Sequence, residues 1–481
     1  MSTLQRLTQL TMNIVIATIV MVQVVSADTT QQSEQTLIKN VQVFDGYSDK
    51  LSANTSVLIE NNLIKEISAT AKAGNDATVI DGGGRVLMPG LIEAHGHLAL
   101  VTNPLDMANN RTFDYIGALM GEEAERYLMR GFTSLRDAGG PVFGLKQAID
   151  QGLIHGPRIF PSGAVISQTS GHGDFRNFNA KSGYFSGSEN YFTEMGYSYL
   201  ADGVPEVQKA VRESLRLGAS QIKVTAGGGV TSLYDPLDAT QYTLEEMKAA
   251  VAEAERWGTY VMVHAHTDAA IIQALDAGVK SIEHGMLIKS STMKRIAKEG
   301  AWVSPQAFIV LQDVAGNPTF SSPIQRAKLQ RTQDGAADEF KWAKEYGVKI
   351  AWGTDMFGAR AAYDTVLKEF EYRAPFFSNL EQLQQVTGNN GELLSLSGIR
   401  NPYPVGKLGV IEKGAYADLL IVEGNPLKDI NVMMDPENNL KLIMKDGKVY
   451  KNTLPERIHK LYSEWEKNLK PTEKSYVPPR F

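Results

Sequence analysis

The chain has 481 residues, of which 43% are hydrophobic and 21% charged, a composition ordinary for a soluble globular protein with a large core. Its net charge of −6 is mild and no block of lysine and arginine stands out, which argues against a nucleic-acid partner. There are no cysteines, so disulfides and thiolate metal ligands are excluded, and any metal must be held by nitrogen and oxygen.

Residues 1–27 have the pattern of a cleaved signal peptide. Arg6 supplies positive charge, Met12 to Val22 is mostly apolar, and Val25-Ser26-Ala27 fits a cleavage site. The apolar run is shorter than the roughly 20 residues of a membrane-spanning helix, which disfavours a membrane anchor. We therefore expect the protein to be exported, either periplasmic or secreted, with no stable membrane insertion after the signal is removed.

Two β-rich segments lie near the ends of the chain. Residues 28–88 contain short runs of alternating apolar and polar side chains separated by turns, and the same texture returns in 402–452. We predict one small β-sandwich domain assembled from both segments. The tail 453–481 is expected to form a helix and an extended arm.

Between residues 89 and 401, apolar runs alternate with segments of helical periodicity. This alternation is typical of an α/β protein, and eight such repeats predict a (β/α)₈ TIM barrel. The predicted strands are 87–93, 132–136, 158–166, 220–225, 259–264, 280–284, 301–305 and 348–353. The clearest predicted helices are 207–217, 244–257, 269–277 and 336–346. Residues 168–204 are too long for an ordinary connection, so we expect them to cover an active site.

Histidine, lysine or aspartate follows several of these strands. Because the chemistry of a parallel barrel lies at the C-terminal ends of its strands, such side chains are candidate metal ligands. His95 and His97 are two residues apart on an extended segment, so both imidazoles project to one side and can share a metal ion. His264 and His266 repeat that spacing, and His284 ends the next predicted strand.

Lys223 lies in a predicted strand, and two interpretations of it are open. Its stem can lie buried while the ammonium reaches solvent. Alternatively, burial inside the barrel lowers its pKa, and the amine adds carbon dioxide to form a carbamate that bridges two metal ions. Asp355 closes the eighth predicted strand, where a carboxylate can bind metal and exchange a proton with metal-bound water.

Two longer motifs resemble those of the amidohydrolase superfamily of metal-dependent hydrolases. Met88-Pro-Gly-Leu-Ile-Glu-Ala-His-Gly-His is similar to its motif after the first barrel strand, and Gly406-Lys-Leu-Gly-Val-Ile-Glu-Lys-Gly-Ala-Tyr-Ala-Asp-Leu is similar to its return into the small β-domain. Three further motifs resemble the branch of Xaa-Pro dipeptidases, carboxypeptidases and ochratoxin-type amidases: Ser170-Gly-His172-Gly-Asp174, Ile222-Lys-Val-Thr-Ala-Gly-Gly-Gly-Val and Ser281-Ile-Glu-His-Gly. Together the motifs cover nearly all of residues 36–450.

The resemblance implies a site for two divalent metal ions, which we expect to be zinc because nitrogen and carboxylate ligands suit it best. His95, His97 and Asp355 would bind the more buried ion, and His264 and His284 the second. Lys223 would be carbamylated, as N6-carboxylysine, and would bridge the two ions. His266 would contact the substrate rather than a metal.

The same resemblance implies hydrolysis of an amide by a metal-bridging hydroxide, with Asp355 carrying the proton to the leaving nitrogen. His172, His266 or Tyr234 would stabilise the oxyanion or orient the carbonyl. The scissile bond would lie next to a free carboxylate in a dipeptide or other small-molecule substrate. That carboxylate needs a cation, for which Arg176 and Arg360 are the candidates. We also expect a homo-oligomer.

Two alternatives remain at this stage. An imidazolonepropionase-like cyclic amide hydrolase or a deaminase shares the superfamily, but the deaminases tend to place a glutamate about three residues after the histidine of strand five and generally lack a bridging lysine. A non-catalytic barrel protein is the other alternative. Such a protein is expected to have lost metal ligands, whereas this chain retains all six.

Overall fold

The computed structural model describes residues 34–454, apart from 233, 314–319 and 321. The chain divides into two compact units, residues 1–34 and 35–481, and the fold below belongs to the second. The predicted signal peptide, and the predicted helix and arm from 455 onward, lie outside the described residues. Among the helices that are described, none combines the length and apolarity that crossing a bilayer requires.

Strands from the two ends of the chain form one mixed seven-stranded sheet. The strands are β1 (Gln35–Val43), β2 (Thr55–Glu60), β3 (Leu63–Ile67), β4 (Thr78–Pro89), β15 (Leu419–Val422), β16 (Leu440–Lys445) and β17 (Lys448–Asn452). Their spatial order in the sheet is β17-β16-β15-β4-β1-β2-β3. The two ends of the chain meet where β4 pairs antiparallel with β15, with Pro89 opposite Leu419. All seven strands belong to a single sheet, so a sandwich of two facing sheets stays a prediction, as do the domain boundaries.

Both faces of this terminal sheet are buried, because apolar residues occupy successive positions along its central strands. Leu87 and Ile421 belong to the apolar core on one face. Val86 and Leu420 point to the opposite face and share a core with the helix Phe113–Met129. A strand that buries both faces reads as a continuous apolar run, which is the pattern of Leu419–Val422.

The middle of the chain contributes ten parallel strands in two sheets. One sheet has three strands, β5 (Leu91–Gly96), β6 (Phe132–Asp137) and β7 (Arg158–Pro161). The other has the order β14-β13-β12-β11-β10-β8-β9. Its strands are β8 (Val165–Ser167), β9 (Ser198–Leu200), β10 (Ile222–Thr225), β11 (Val261–Thr267), β12 (Ser281–Leu287), β13 (Trp302–Ser304) and β14 (Lys349–Ile350).

Backbone hydrogen bonds join these two sheets. The Ala94 amide donates to the Trp352 carbonyl (3.1 Å) and the Asp355 amide to the His95 carbonyl (2.8 Å), so β5 runs beside the segment that follows β14. On the other side, the Ser220 amide donates to the Pro161 carbonyl at 2.7 Å. The alternating α/β architecture is confirmed, and its parallel strands fit a TIM-like barrel.

Helices separate most of the parallel strands. The α-helices are Pro104–Asn110, Phe113–Met129, Phe143–Asp150, Gly183–Ser186, Tyr191–Glu194, Val204–Leu217, Leu244–Arg256, Asp268–Ala277, Ser290–Glu299, Ala307–Leu311, Pro323–Glu345, Arg360–Tyr363, Lys368–Arg373, Asn379–Gln384, Asn390–Ser395 and Pro436–Asn439. A π-helical turn spans Gln385–Asn389, and 3₁₀ turns span Gly398–Arg400 and Ile430–Met434.

Three predicted elements differ clearly from the structure. The predicted strand 87–93 spans the end of β4 and the start of β5, which are separate strands on either side of Gly90. The predicted strand 158–166 is two strands, β7 and β8, because Gly163 takes a left-handed conformation (φ +72°) between them. The predicted helix 336–346 begins much earlier, at Pro323, where Ser322 and Gln325 form a capping box. Gly335 interrupts the helical pattern of the sequence. A glycine is needed at this position because a Cβ there would lie 1.9 Å from the Met286 carbonyl oxygen.

A buried ion pair links β7 to the terminal sheet. Arg158 donates to Asp418 (Nε to Oδ2, 3.2 Å) and to Asp446 (Nη2 to Oδ1, 2.6 Å). Replacing Arg158 with alanine is expected to cost ~3–5 kcal/mol, because the buried Asp418 carboxylate loses its cation. Thermal unfolding should show a clearly lower Tm, whereas Arg216→Ala, which breaks a pair with Glu213 that is exposed on both sides, should barely change it. An equal Tm for the two variants would contradict this role of Arg158.

Candidate metal centre

The C-terminal ends of the parallel strands bring together the predicted ligands. His95 lies near the end of β5, Lys223 within β10, His264 on β11 and His284 on β12. Asp355 follows β14, with its amide bonded to the His95 carbonyl. All five side chains therefore converge on one end of the parallel strands, where the chemistry of such barrels is found.

Two groups of donor atoms each lie close enough to hold one metal ion. In the first, one nitrogen or oxygen from each of His95, His284 and Asp355 lies within 4.8 Å of the others. In the second, the same holds for His264, His266 and His284. His284 belongs to both groups, so the two sets of donors are adjacent.

His97 and Lys223 adjoin the first group. His97 Nε2 lies 2.9 Å from Asp355 Oδ1, and His95 Nε2 lies 3.4 Å from that same oxygen. Lys223 Nζ lies 3.4 Å from His95 Nε2. All four side chains point at a common centre, and the sequence spacing had predicted their convergence.

Two of these residues have strained backbones. His284 has φ +75° and Asp355 φ +53°, a left-handed region that residues with a Cβ rarely adopt. Such strain costs on the order of 1–3 kcal/mol and persists where the surrounding structure imposes it, often at functional sites. Here it turns an imidazole and a carboxylate toward the same centre from different strands.

The electrostatics keep the imidazoles of the second group neutral. Burial, aided by neighbouring imidazoles, lowers the pKa of His264 well below its usual range, and burial does the same for the pKa of His284. Burial also lowers the pKa of His266 to about 3. A neutral imidazole has a free lone pair, which is the form that binds a metal ion.

The first group instead contains a stabilised carboxylate. Burial opposes ionisation of Asp355, but the neighbouring His95 and His97 outweigh it and hold its pKa well below the usual range. Burial likewise disfavours the charged form of His97, yet the hydrogen bond and charge of Asp355 raise the pKa of His97. The carboxylate is therefore ionised at neutral pH and available as an anionic ligand.

Lys223 is almost fully buried, with 4% of its surface exposed. Burial lowers the pKa of its amine to about 8, although the charges of Glu283 and Asp355 act in the opposite direction. A larger fraction of this amine is uncharged near neutral pH than for an exposed lysine. Its stem does not carry the ammonium to solvent, so the snorkelling interpretation of Lys223 does not describe its position.

A carboxylate behind His95 was not identified from the sequence. Glu283 Oε2 lies 2.8 Å from His95 Nδ1, and Arg136 Nη2 donates to both Glu283 oxygens at 2.9 Å. Burial raises the pKa of Glu283, but Arg136, His95 and Lys223 together outweigh it, so the pKa is lowered and the carboxylate can only accept. His95 Nδ1 then carries the proton, and Nε2 is left as the ligand atom. In the sequence, the only indication of this role was that Glu283 directly precedes the predicted ligand His284.

Glu93 ties β5 to the segment that carries Asp355. Its Oε1 accepts from the amides of His95 (2.8 Å) and Thr354 (3.0 Å), and its Oε2 accepts from the Thr354 hydroxyl (2.8 Å). Glu93 is fully buried, and this burial raises the pKa of its carboxyl to about 7. The residue preceding His95 by two positions therefore holds both ligand segments in register.

The rings of His172 and His266 stack on those of His264 and His284, respectively. The His172 ring stacks on that of His264, with centroids 4.0 Å apart and an interplanar angle of 18°. His172 Nδ1 lies 3.1 Å from Asp235 Oδ2 and from Ser232 Oγ. His266 stacks on His284, and its buried Nδ1 has no hydrogen-bond partner among the described residues.

The predicted substrate contacts are only partly brought to this site. Tyr234 is half exposed, and its ring centroid lies 6.0 Å from that of Phe178. Arg176 is largely buried, but its guanidinium is paired with Asp174 through Nε (2.7 Å to Oδ1). Arg360 is mostly exposed and forms its ion pair with Glu122, a residue of the helix Phe113–Met129. The structure therefore does not join Arg360 to the histidine cluster.

The donor set fits divalent metal ions. It combines imidazole nitrogens with one carboxylate, and a proton held on His95 Nδ1 by Glu283 is the arrangement found behind metal-bound histidines. The absence of cysteine leaves no thiolate ligand in the chain. Metal binding is therefore chemically consistent with the neutral imidazoles and the ionised carboxylate of this cluster.

Comparison with known proteins gives the class of the chain. The profile of the amidohydrolase family matches residues 86–450, which is most of the chain. The protein therefore belongs to the amidohydrolase family and is a hydrolase that acts on carbon–nitrogen bonds.

Comparison with individual relatives indicates which branch of the family the chain resembles. The ochratoxinase of Aspergillus niger is 32% identical over 388 residues, covering 76% of each chain. A prolidase crystallised with N-methylphosphonate-L-proline is 34% identical with a TM-score of 0.79, over 87% of this chain and 100% of that one. A Xaa-Pro dipeptidase with bound methionine is 32% identical with a TM-score of 0.75, over the same shares. The predicted branch of the superfamily is confirmed.

Proposed function

We propose that the protein is a two-metal amidohydrolase that cleaves an amide or peptide bond next to a free carboxylate. The observation that carries this proposal is the pair of adjacent donor groups that share His284, with the buried Lys223 amine beside His95. A single metal ion would use only one of the two donor groups, and it would not account for the buried lysine beside His95.

In this proposal each metal ion has its own ligands and one ligand bridges them. His95, His97 and Asp355 would hold one ion and His264 and His284 the other, and Lys223, as a carbamate, would be a ligand of both. The second donor group also contains His266, so distance alone admits it as a ligand. We assign His266 to the substrate because the motif resemblance implies that role and because its buried Nδ1 has no hydrogen-bond partner among the described residues.

Two bound divalent ions, which we propose to be zinc, would supply Lewis acidity that activates water near neutral pH and polarises the amide carbonyl. Asp355 is ionised and lies at the centre, so its Oδ1 accepts the proton of the attacking water and returns it to the leaving nitrogen. His172 and His266 orient the carbonyl and stabilise the negative charge that develops on its oxygen. Tyr234 directly precedes Asp235, and in this proposal its side chain helps to orient the carbonyl from the edge of the site.

The proposed substrates are dipeptides and N-acyl amino acids, including ochratoxin-like amides. Support comes from the relatives: one is an ochratoxinase, and another was crystallised with a phosphonate joined to proline. Of the two predicted cations for the substrate carboxylate, Arg176 has the better position because it lies largely buried in the loop that carries His172. To bind a substrate carboxylate, it would have to share its guanidinium with Asp174.

Metal removal tests this proposal. The purified protein is expected to contain two divalent ions per chain, to lose hydrolysis of N-acyl amino acids and dipeptides on dialysis against a chelator, and to regain it with zinc. Metal content is measured by elemental analysis and turnover by release of the free amino acid. The matched control is the same substrate with its carboxylate converted to an amide, which should be hydrolysed poorly. A protein without bound metal that stays inactive after zinc addition would contradict the proposal.

A further inference from the structure

The helix Pro323–Glu345 contributes a lysine that the metal centre does not use. Lys328 is 7% exposed, and its Nζ donates to three backbone carbonyls, those of Gly229 (2.9 Å), Ser232 (3.0 Å) and Asp235 (2.6 Å). All three protons of the ammonium are engaged, so Lys328 has none left for a substrate. Its three hydrogen bonds instead hold Gly229, Ser232 and Asp235 of the loop 229–235 close to one another.

A second side chain of the same helix supports this loop. Gln325 is also 7% exposed, and its Nε2 donates to the Thr231 carbonyl. Residues three positions apart lie on one face of a helix, so Gln325 and Lys328 contact the loop together. The loop therefore takes its shape from a helix that is distant in sequence.

The loop held in this way positions the Asp235 carboxylate. Asp235 is 2% exposed, and its Oδ2 accepts the Gly229 amide at 2.7 Å and lies 3.1 Å from His172 Nδ1. Burial raises the pKa of Asp235, but its hydrogen bonds with His172, Ser232 and the Gly229 amide keep it low, so the carboxylate acts as an acceptor. His172 Nδ1 therefore donates to Asp235, which fixes the ring and leaves Nε2 for the substrate; Nε2 can donate to a carbonyl oxygen only when it too carries a proton.

Gly229 also fits the ring into place. A Cβ on Gly229 would lie 1.9 Å from His172 Cε1, so the ring packs directly against the glycine backbone. On its other side the ring stacks on His264, and the His172 amide donates to Gln241 Oε1 at 3.0 Å. A change in the loop would therefore displace the His172 ring.

We infer that Lys328 and Asp235 are positioning residues for His172: the ammonium fixes the loop that carries Asp235, and the carboxylate fixes the orientation of the imidazole over the second metal group. This inference rests on the proposed function, because it assigns His172 to the substrate carbonyl. It adds two residues that neither bind metal nor contact the substrate.

A double-mutant cycle tests the inference. Lys328→Met and Asp235→Asn are each expected to lower kcat by about 10-fold to 100-fold, somewhat less than the 10²–10³ that loss of a whole oxyanion donor costs, with KM and metal content nearly unchanged. In a His172→Ala background, the same two changes should have almost no further effect, because the three residues act as one unit. The control is Lys341→Met, which removes an exposed lysine from the same helix and should leave turnover unchanged.

The outcome that overturns the inference is an additive loss in the double variants, or loss of metal from Lys328→Met. A second readout needs no activity. In protein labelled with ¹⁵N-histidine, the His172 signal, identified by its absence in His172→Ala, should show a protonated, hydrogen-bonded Nδ1 and should change in Asp235→Asn and Lys328→Met. An unchanged signal refutes the positioning role. Failure of the wild type to hydrolyse any amide would instead refute the proposed function, and the imidazole signal would still decide the positioning role.

Discussion

Replacing Lys223 with alanine is expected to abolish amide hydrolysis and to lower the bound metal below two ions per chain. In the proposed site the carbamate is the ligand common to both ions, so its loss removes one anionic ligand from each. The expected loss of at least about 10³-fold in kcat/KM exceeds the 10-fold to 100-fold typical of a residue that only supports a ligand. Elemental analysis and turnover of the purified variant measure both effects.

Lys445 offers a matched control for this experiment. It is also nearly buried, burial lowers the pKa of its amine to about 8, and its Nζ donates to the Gly156 carbonyl at 2.7 Å. Lys445 lies in the terminal sheet rather than at the strand ends. Lys445→Ala is expected to lower the Tm while leaving two metal ions and normal turnover. Wild-type metal content and turnover in Lys223→Ala would contradict the bridging role.

The second large effect is expected for Asp355→Asn, which keeps the shape of the side chain but removes its capacity to carry a proton. With a dipeptide or N-acyl amino acid, kcat should fall by about 10²-fold to 10⁴-fold, the usual contribution of a general acid–base group. The reason is that an amide nitrogen leaves poorly unless it is protonated. Steady-state kinetics at neutral pH measures the loss.

The leaving group separates proton transfer from metal binding. An ester analogue with the same acyl group and carboxylate leaves more readily without a proton, so Asp355→Asn should impair its hydrolysis much less than that of the amide. Asp364→Asn removes the same charge from an exposed position nearby and should change neither reaction. Equal losses on the amide and the ester would indicate that Asp355 acts only as a ligand.

Much of the site could be predicted from local sequence patterns. An apolar run followed by histidine or aspartate places that side chain at the end of a buried strand, and parallel strands align those ends at one edge. His95, Lys223, His264, His284 and Asp355 converge for this reason. The α/β class followed from the same alternation of strand and helix patterns.

Two charge pairs, Arg136 with Glu283 and Arg360 with Glu122, could not be predicted, because each joins residues that are distant in the chain. Arg136 and Glu283 lie on different strands, and only their burial together shows that the arginine serves His95 through the carboxylate. Arg360 was a candidate for binding the substrate carboxylate because it follows Asp355 by only five residues in the sequence. Its partner, Glu122, lies on a helix more than two hundred residues away in the chain.

By itself, the sequence determined which chemical groups are available, their order along the strands, and a metal chemistry restricted to nitrogen and oxygen ligands. Those properties depend on residue type and on the short period of a strand. Only the tertiary structure decided which groups are neutral, that Arg360 is paired with Glu122, and which helix holds the Asp235 loop that supports His172. These properties depend on burial and on contacts across the fold, which arise only when distant segments pack together.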